Sequence, residues 1–404
     1  MSQNEQVLSY PMPSEAALEP PAEWAELRRQ CPVARITLPS GDEAKLLTRY
    51  EDVKQVLADP RFTRLLNAPD AARLSDNESG GVFNTEMAQI IPDSGEGHQR
   101  WRRLVGKYFT AKRMAALRPI MAEIAERLID DMVKRGGPGD LKASLGFPLP
   151  VYVICDLLGV PAADRDRFAH WSDALLNLTR YSQAEMDAAQ AEFVQYMSDH
   201  VTAKRERPGD DLLSALIKES AAEGQGLTDV ELLVTGMALL VAGHETTANM
   251  IGKMVSMLLV DRTRWERLLA DPSLVRSAVE ESLRFDANSG FGLPRYLKEE
   301  TEVDGTVLPR GTTVICSMAA ANRDESVFDG ADDMDLSRSP NPHLAFGSGA
   351  HSCLGQSLAR TELQVVLEVL LRRLPSLRLA VPAEELQRVD GLVVGGLREV
   401  PVHW

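Results

Sequence analysis

The sequence predicts a mainly α protein with a minor β component, folded as one helix-rich domain over residues 1–404. Three observations predict it. From residue 99 to 270 apolar residues recur at helical spacing, broken only at Gly136-Gly137-Pro138, Phe147-Pro148, Pro161 and Pro208-Gly209. Strand patterns are few and short. No Gly/Ser linker, low-complexity tract or internal repeat divides the 404 residues.

The elements follow in chain order. Residues 33–38 and 44–48 read as strands around the Ser40-Gly41 turn, and 51–58 as a short helix ended by Pro60. Residues 63–97 lack periodicity and carry Gly80-Gly81 and Pro92-Asp93 turn chemistry. A loop of that length in a compact domain is commonly a lid or a binding loop. Thr228-Asp229-Val230-Glu231 is a capping box, the clearest helix start in the chain. No breaker follows before Asp261, which predicts a helix of ~30 residues and ~45 Å. It is apolar on most sides, so it belongs in the middle of the molecule. Pro272 opens another helix through Phe285. Residues 302–308 and 312–317 read as strands, 322–342 as irregular, and a last long helix runs from near Cys353 to about 374.

Composition narrows the function classes. The formal net charge of −15 argues against nucleic acid or an anionic membrane as a general partner. Residues 97–122 are the local exception, with seven cations (Arg100, Arg102, Arg103, Lys107, Lys112, Arg113, Arg118) and no acid. Such a block suits bound anions, an acidic partner or a solvated helix face. The chain has no cation before Arg28 and no early apolar run, so the reading is a cytoplasmic protein without a secretory signal. The most apolar stretch, 232–242, is too short to span a bilayer. Four scattered cysteines (Cys31, Cys155, Cys316, Cys353) make no C-x-x-C pair and no disulfide scaffold. Cys155 and Cys316 sit in apolar runs and read as small buried hydrophobes.

Cys353 is different. Phe346-Gly347-Ser348-Gly349-Ala350-His351-Ser352-Cys353-Leu354-Gly355 is a glycine-rich loop feeding a helix N-terminus. The glycines let backbone approach something flat and bulky. Free amides and the positive helix end are expected to lower the thiol's pKa. A thiolate here could be a nucleophile or a single metal ligand. A zinc site is excluded, because no second Cys or His stands at ligand spacing.

This segment resembles the haem-binding loop of cytochromes P-450, F-x-x-G-x-x-x-C-x-G, in the bacterial form with His two positions before the Cys. The resemblance implies that Cys353 is the axial iron ligand of a heme b, pushing electron density toward the iron to favour O–O cleavage. It places Phe346 over the proximal face near the sulfur and Gly355 where the next helix approaches the porphyrin. Ala242-Gly243-His244-Glu245-Thr246-Thr247 resembles the family's A-G-x-[DE]-T-[TS] motif. By that match Thr246 and Glu245 help deliver protons to bound dioxygen, while Ala242 and Gly243 leave room for it. On physical grounds a Thr246 hydroxyl bonding back toward Ala242 is expected to loosen the helix locally. Glu281-Ser282-Leu283-Arg284 fits E-x-x-R, a structural pair, which a third basic residue usually joins. Asp333 stands near where many relatives carry an Arg, so Arg338 or Arg323 is expected to substitute. His98 and Arg102, at i,i+4 on one helical face, with Arg295 and His351, match the family's propionate ligands. The resemblance covers nearly the whole chain. One further departure is Asn288-Ser289-Gly290, where a proline commonly follows the E-x-x-R helix.

The resemblance implies a monooxygenase that activates O2 with two external electrons, since the chain carries no flavin or nicotinamide fingerprint. A ferredoxin, served by a ferredoxin reductase, is the expected donor, docking on the cationic block. The expected oligomeric state is a monomer. The expected distal-pocket residues are Met87, Ile90, Ile91, Leu240, Val241, Phe291, Leu293, Val393 and Val394. They suit a medium-to-large apolar molecule, as in secondary-metabolite tailoring. Two rival readings are oxidative coupling or rearrangement without oxygen insertion, and a non-catalytic haem-thiolate sensor, against which Glu245 and Thr246 argue. A cysteine hydrolase is a more distant one.

Overall fold

Strand-forming residues from both ends of the chain meet in one sheet. The computed structural model describes residues 7–75, 90–176, 180–223, 226–288, 290–389 and 394–404. Strands β1 (Leu8–Ser9), β2 (Val33–Thr37), β3 (Glu43–Leu47), β4 (Phe62–Thr63), β5 (Leu293–Leu297) and β6 (Thr313–Cys316) lie in the order β1-β2-β3-β6-β5-β4. β2 and β3 form the expected hairpin, with Val33 opposite Leu47. β6 runs parallel to β3, and β5 lies antiparallel between β6 and β4. The strand expected over 302–308 is instead a hairpin, Thr301–Val303 with Thr306–Leu308. Its turn puts both Asp304 and Gly305 at positive φ, 46° and 71°, as a tight two-residue hairpin requires.

Helices make up the larger layer. Those that position the site are α1 (Gly95–Gly106), α2 (Asp229–Val260), α3 (Val275–Phe285) and α4 (Gln356–Arg373). α2 is the long central helix. The Thr228 hydroxyl accepts from the Glu231 amide and the Glu231 carboxylate accepts from the Thr228 amide, so both halves of the capping box form. Its 32 residues span about 48 Å. It packs against Pro148–Leu158, Gln183–Glu206 and α4, and most of its side chains are buried. Pro148, expected as a breaker, occupies the first turn of its helix, where its missing N–H is no loss.

The last long helix begins later than expected. A single turn over Gly349–His351 precedes Cys353, and α4 starts at Gln356. Cys155 and Cys316 are fully buried, as small hydrophobes are. Among the described residues no helix is long and apolar enough to cross a membrane.

Candidate active site

The loop before α4 is shaped by its glycines. Gly347 and Gly349 hold φ of 70° and 71°, and a Cβ on Gly349 would sit 2.6 Å from the Ala58 Cα. Only glycine fits that contact. The Cys353 amide donates to the Phe346 carbonyl at 2.8 Å, closing the loop on itself. Phe346 is clamped from below by the Arg360 guanidinium, 4.4 Å from its ring centre. Cys353 stands in a recess: it is open to a small probe, yet protein surrounds its sulfur on most sides. Burial pushes its thiol up, against the pull of the Gly355 amide and the Arg102 and Arg360 cations. The lowered thiol expected from helix geometry alone is therefore corrected, because desolvation outweighs the helix end here. A Cβ on Gly355 would meet nothing within 4 Å, so that side of the helix start is also open.

A second open surface interrupts α2. Ala238 and Ala242 are exposed and Thr246 is partly exposed in the middle of a helix otherwise buried on every side. Their spacing of four places them on one stripe. The Thr246 hydroxyl donates to the Ala242 carbonyl at 2.9 Å, as the sequence predicts. Glu245 is buried, and its Oε1 accepts from the Asn249 amide at 2.9 Å. Gly243 faces the other way. A Cβ there would come within 3.0 Å of Ile154, so its smallness serves the packing of Pro148–Leu158 rather than an open space. Leu240 is likewise corrected. It lies about half a helical turn around from Ala242, is fully buried, and packs in the helical core with Val241.

The remaining pocket candidates divide. Phe291 turns into the sheet-side core, edge-on to Tyr10 at 5.0 Å, and the Tyr10 hydroxyl donates to its carbonyl at 2.6 Å. This too corrects the expectation. Ile91 is buried, Leu293 packs on the cluster of β3 and β6, and Ile90 and Val394 are half-buried. Met87 and Val393 lie outside the described residues.

Cations gather beside the loop. His98 and Arg102 project from α1, and Arg295 from β5. The His98 and His351 rings are 4.5 Å apart, and Arg102 donates to the Ser352 carbonyl at 2.9 Å. Burial, then the charges of Arg64, His98 and Arg295, pushes the His351 imidazole down to about 4. Burial likewise lowers Arg295, Arg102 and Arg64. Arg64, unremarked in the sequence, belongs to this group: its Nε is buried without a hydrogen-bond partner. So many cations, each disfavoured by burial and by the others, fit an anionic group carrying carboxylates. With the open thiol and the open small-residue stripe, these residues fit haem. Among the described residues no cluster of three His, Cys, Asp or Glu could hold a metal ion by itself.

Behind the site, Glu281 and Arg284 are both fully buried and meet through two contacts of 2.8 Å. The third basic residue is Arg338, whose Nε reaches both Glu281 oxygens at 3.1 and 3.2 Å. Arg323 instead donates to the Phe285 carbonyl and lies 3.6 Å from the Phe285 ring centre.

A cytochrome P-450 family model matches residues 261–379. The chain is 42% identical over 397 residues to the mycinamicin IV hydroxylase/epoxidase of Micromonospora griseorubida, covering 98% of each. It is also 42% identical over 400 residues to the nocardicin C N-oxygenase of Nocardia uniformis subsp. tsuyamanensis, again 98% of each. The chain belongs to the cytochrome P-450 family. Among solved structures, SgvP, assigned as a thioether synthase in the tailoring step of griseoviridin, superposes with a TM-score of 0.92 at 41% identity, over 99% of this chain and 100% of that one. This P-450 is thus an oxidoreductase of the monooxygenase type, with a haem cofactor.

One buried acid in this P-450 has a consequence for stability. Glu362 in α4 is fully buried with both carboxyl oxygens unpartnered, and burial holds it well above the usual carboxylate range, the nearby Thr247 hydroxyl not overcoming this. The folded state therefore binds a proton that the unfolded state releases above about pH 4.3. Stability falls as pH rises through that window, by up to about 1.4 kcal/mol per pH unit. Glu362→Gln is expected to flatten the decline in melting temperature as pH rises above about 4.3. An equally steep decline in the glutamine variant contradicts the assignment.

Proposed function

We propose that this chain, as one domain over residues 1–404, is a haem b monooxygenase that inserts oxygen into a medium-to-large apolar molecule in secondary-metabolite tailoring. The observation that carries this is the pair of open surfaces in an otherwise buried interior, the Cys353 thiol and the Ala238–Ala242–Thr246 stripe. Haem held by Cys353, with carboxylates on Arg102, Arg295, His98 and His351, would supply O2 activation by two electrons.

The chain's own residues do the rest. Ala242, with its methyl side chain, leaves space on the stripe beside Thr246. Thr246 Oγ, here donating to the Ala242 carbonyl, holds the proton nearest that space. Glu245, the next residue back, would replace it with a proton taken up from solvent, and Asn249 holds the carboxylate left between transfers. Arg360 fixes Phe346 beneath the loop, which keeps the sulfur positioned. Ile90, Ile91, Leu293 and Val394, with Met87 and Val393, would supply the apolar surroundings for substrate, while Val241 stays with the core.

Thr246→Ala is expected to keep consuming reductant while product per electron pair falls at least about ten-fold, with Thr246→Ser restoring most of it. The substrate for this assay is any apolar compound that shifts the haem spin state. Unchanged product yield in the alanine variant rejects Thr246 as the proton holder. The names of the two curated relatives, a hydroxylase/epoxidase and an N-oxygenase, favour oxygen insertion. The likeness to SgvP favours the second reading, bond formation without oxygen insertion. Labelled O2 separates them, since only insertion leaves label in the product.

The electrons come, in this reading, from a ferredoxin and its reductase, in the cytoplasm, to a monomeric enzyme. Arg103 is exposed on α1, and Lys112 and Arg113 on the short helix Ala111–Ala116 that follows. Lys107 pairs with Glu219 and Arg100 with Glu231, so these two offer less free charge. Reversing Arg103, Lys112 and Arg113 together is expected to slow reduction by an acidic ferredoxin at least about ten-fold at low salt and to weaken its salt dependence. Unchanged reduction kinetics place the docking face elsewhere.

A further inference from the structure

Arg64 follows β4 directly. The β4–β5 register pairs Phe62 with Leu297 and Thr63 with Tyr296; continued one step past the end of the ladder it would set Arg64 opposite Arg295, and the charge of Arg64 does act on Arg295. Directly opposed residues of an antiparallel pair share a face, and like charges so placed destabilise the pair. Arg64 is nevertheless half-buried, with a buried Nε that finds no acceptor. Its charge bears on His98, Arg102, Arg295 and His351 alike.

The anion near it in space is Asp93, whose charge favours the Arg64 cation, but Asp93 is shared among several partners. Its carboxylate accepts from the Thr63 hydroxyl, with Ser94 and Lys298 also favouring its ionised form. Three guanidiniums, Arg64, Arg102 and Arg295, with Lys298 also beside Asp93, face that one carboxylate, an excess of at least two positive charges. A buried charge left unpaired is costly, by several kcal/mol even after relaxation. The surplus matches the two carboxylates of haem.

We propose that Arg64 is a third arginine for the haem carboxylates, closing the cationic pocket from the β4 side opposite Arg295. The proposal rests on the haem reading of the Cys353 recess. It assigns the β4–β5 edge a role in retaining the cofactor, and it explains why two arginines can face each other across a strand pair inside the protein.

Haem transfer from the holoprotein to excess apomyoglobin tests it without any turnover assay. Arg64→Gln is expected to lose haem at least about ten-fold faster than wild type, the effect of removing one charge-assisted hydrogen bond. Arg64→Lys, which keeps the charge without the fork, is expected to fall between the two. Arg103→Gln, which removes an exposed cation from α1, is expected to match wild type. The ferric/ferrous potential of Arg64→Gln is expected to be lower, since a positive charge near the iron favours the reduced state. Loss from Arg64→Gln within about two-fold of wild type overturns the proposal. So does a wild-type rate set by added phosphate, which would mean that Arg64 holds a free anion. Should Arg64→Gln fail to fold, Arg64→Lys alone decides: a rate equal to wild type overturns the proposal. A wild type that carries no haem to transfer fails the haem reading itself, a different and separately visible result.

Discussion

Replacement of Cys353 by alanine is expected to abolish product formation, by at least about a thousand-fold, equivalent to about 4 kcal/mol of barrier. The reason lies in the chemistry of the recess. Cys353 is the one open thiol on the loop, and among the described residues no cluster of three His, Cys, Asp or Glu could hold a metal ion in its place. Its surroundings survive the change, because the loop is closed by the Phe346 carbonyl and the Arg102–Ser352 contact rather than by the sulfur. The variant should therefore fold, and Arg102, Arg295, His98 and His351 should still offer cations to haem carboxylates. What it would lose, on the proposed reading, is the electron-rich sulfur donor to haem. The check is product per molecule of haem-bearing protein in O2 with saturating reductant. An alanine variant that turns over at a tenth of the wild-type rate or better contradicts the role.

The second large effect concerns folding. Glu281→Ala is expected to cost about 3–5 kcal/mol, since it strips the partner from buried cations. Arg284 is fully buried and Arg338 nearly so. The Glu281 carboxylate also accepts from the Asp335 amide at 2.8 Å and from Asn341 at 3.0 Å, so one side chain ties α3 to the irregular segment before the Cys loop. A loss of that size is a large share of a typical folding free energy of about 5–15 kcal/mol. Poor soluble yield and a strongly lowered melting temperature are expected. Arg338→Ala should be milder, because Arg284 still neutralises Glu281. A Glu281→Ala protein that melts with wild type denies the network its structural weight.

Much of this was legible from residues alone. The Thr228–Glu231 box and the absence of a breaker before Asp261 gave the start and length of α2, because capping and propensity are local. The bond from Thr246 to the Ala242 carbonyl follows from the same locality. Errors arose where neighbours distant in sequence decide. Leu240 looked like a pocket residue beside a motif, yet the four-residue spacing of Ala242 and Thr246 already places it on the far face. Phe291 is captured by Tyr10, 281 positions away, which no local pattern announces. The Asp304-Gly305 hairpin was readable, since that dipeptide is a turn signal, but taking 302–308 as one strand ran straight through it. Strand β5 was hidden by Pro294. Arg64 carries no motif, and only the β4–β5 register shows what it faces. The replacement of the usual arginine by Asp333 left two candidates, and geometry chose Arg338.

The absorption spectrum of the reduced, carbon monoxide-bound protein tests the central claim most directly. Ligation through the Cys353 sulfur predicts a Soret band displaced far to the red of that of a histidine-ligated haem. A band at the histidine-ligated position, or protein that stays colourless after expression with ample haem, contradicts the account.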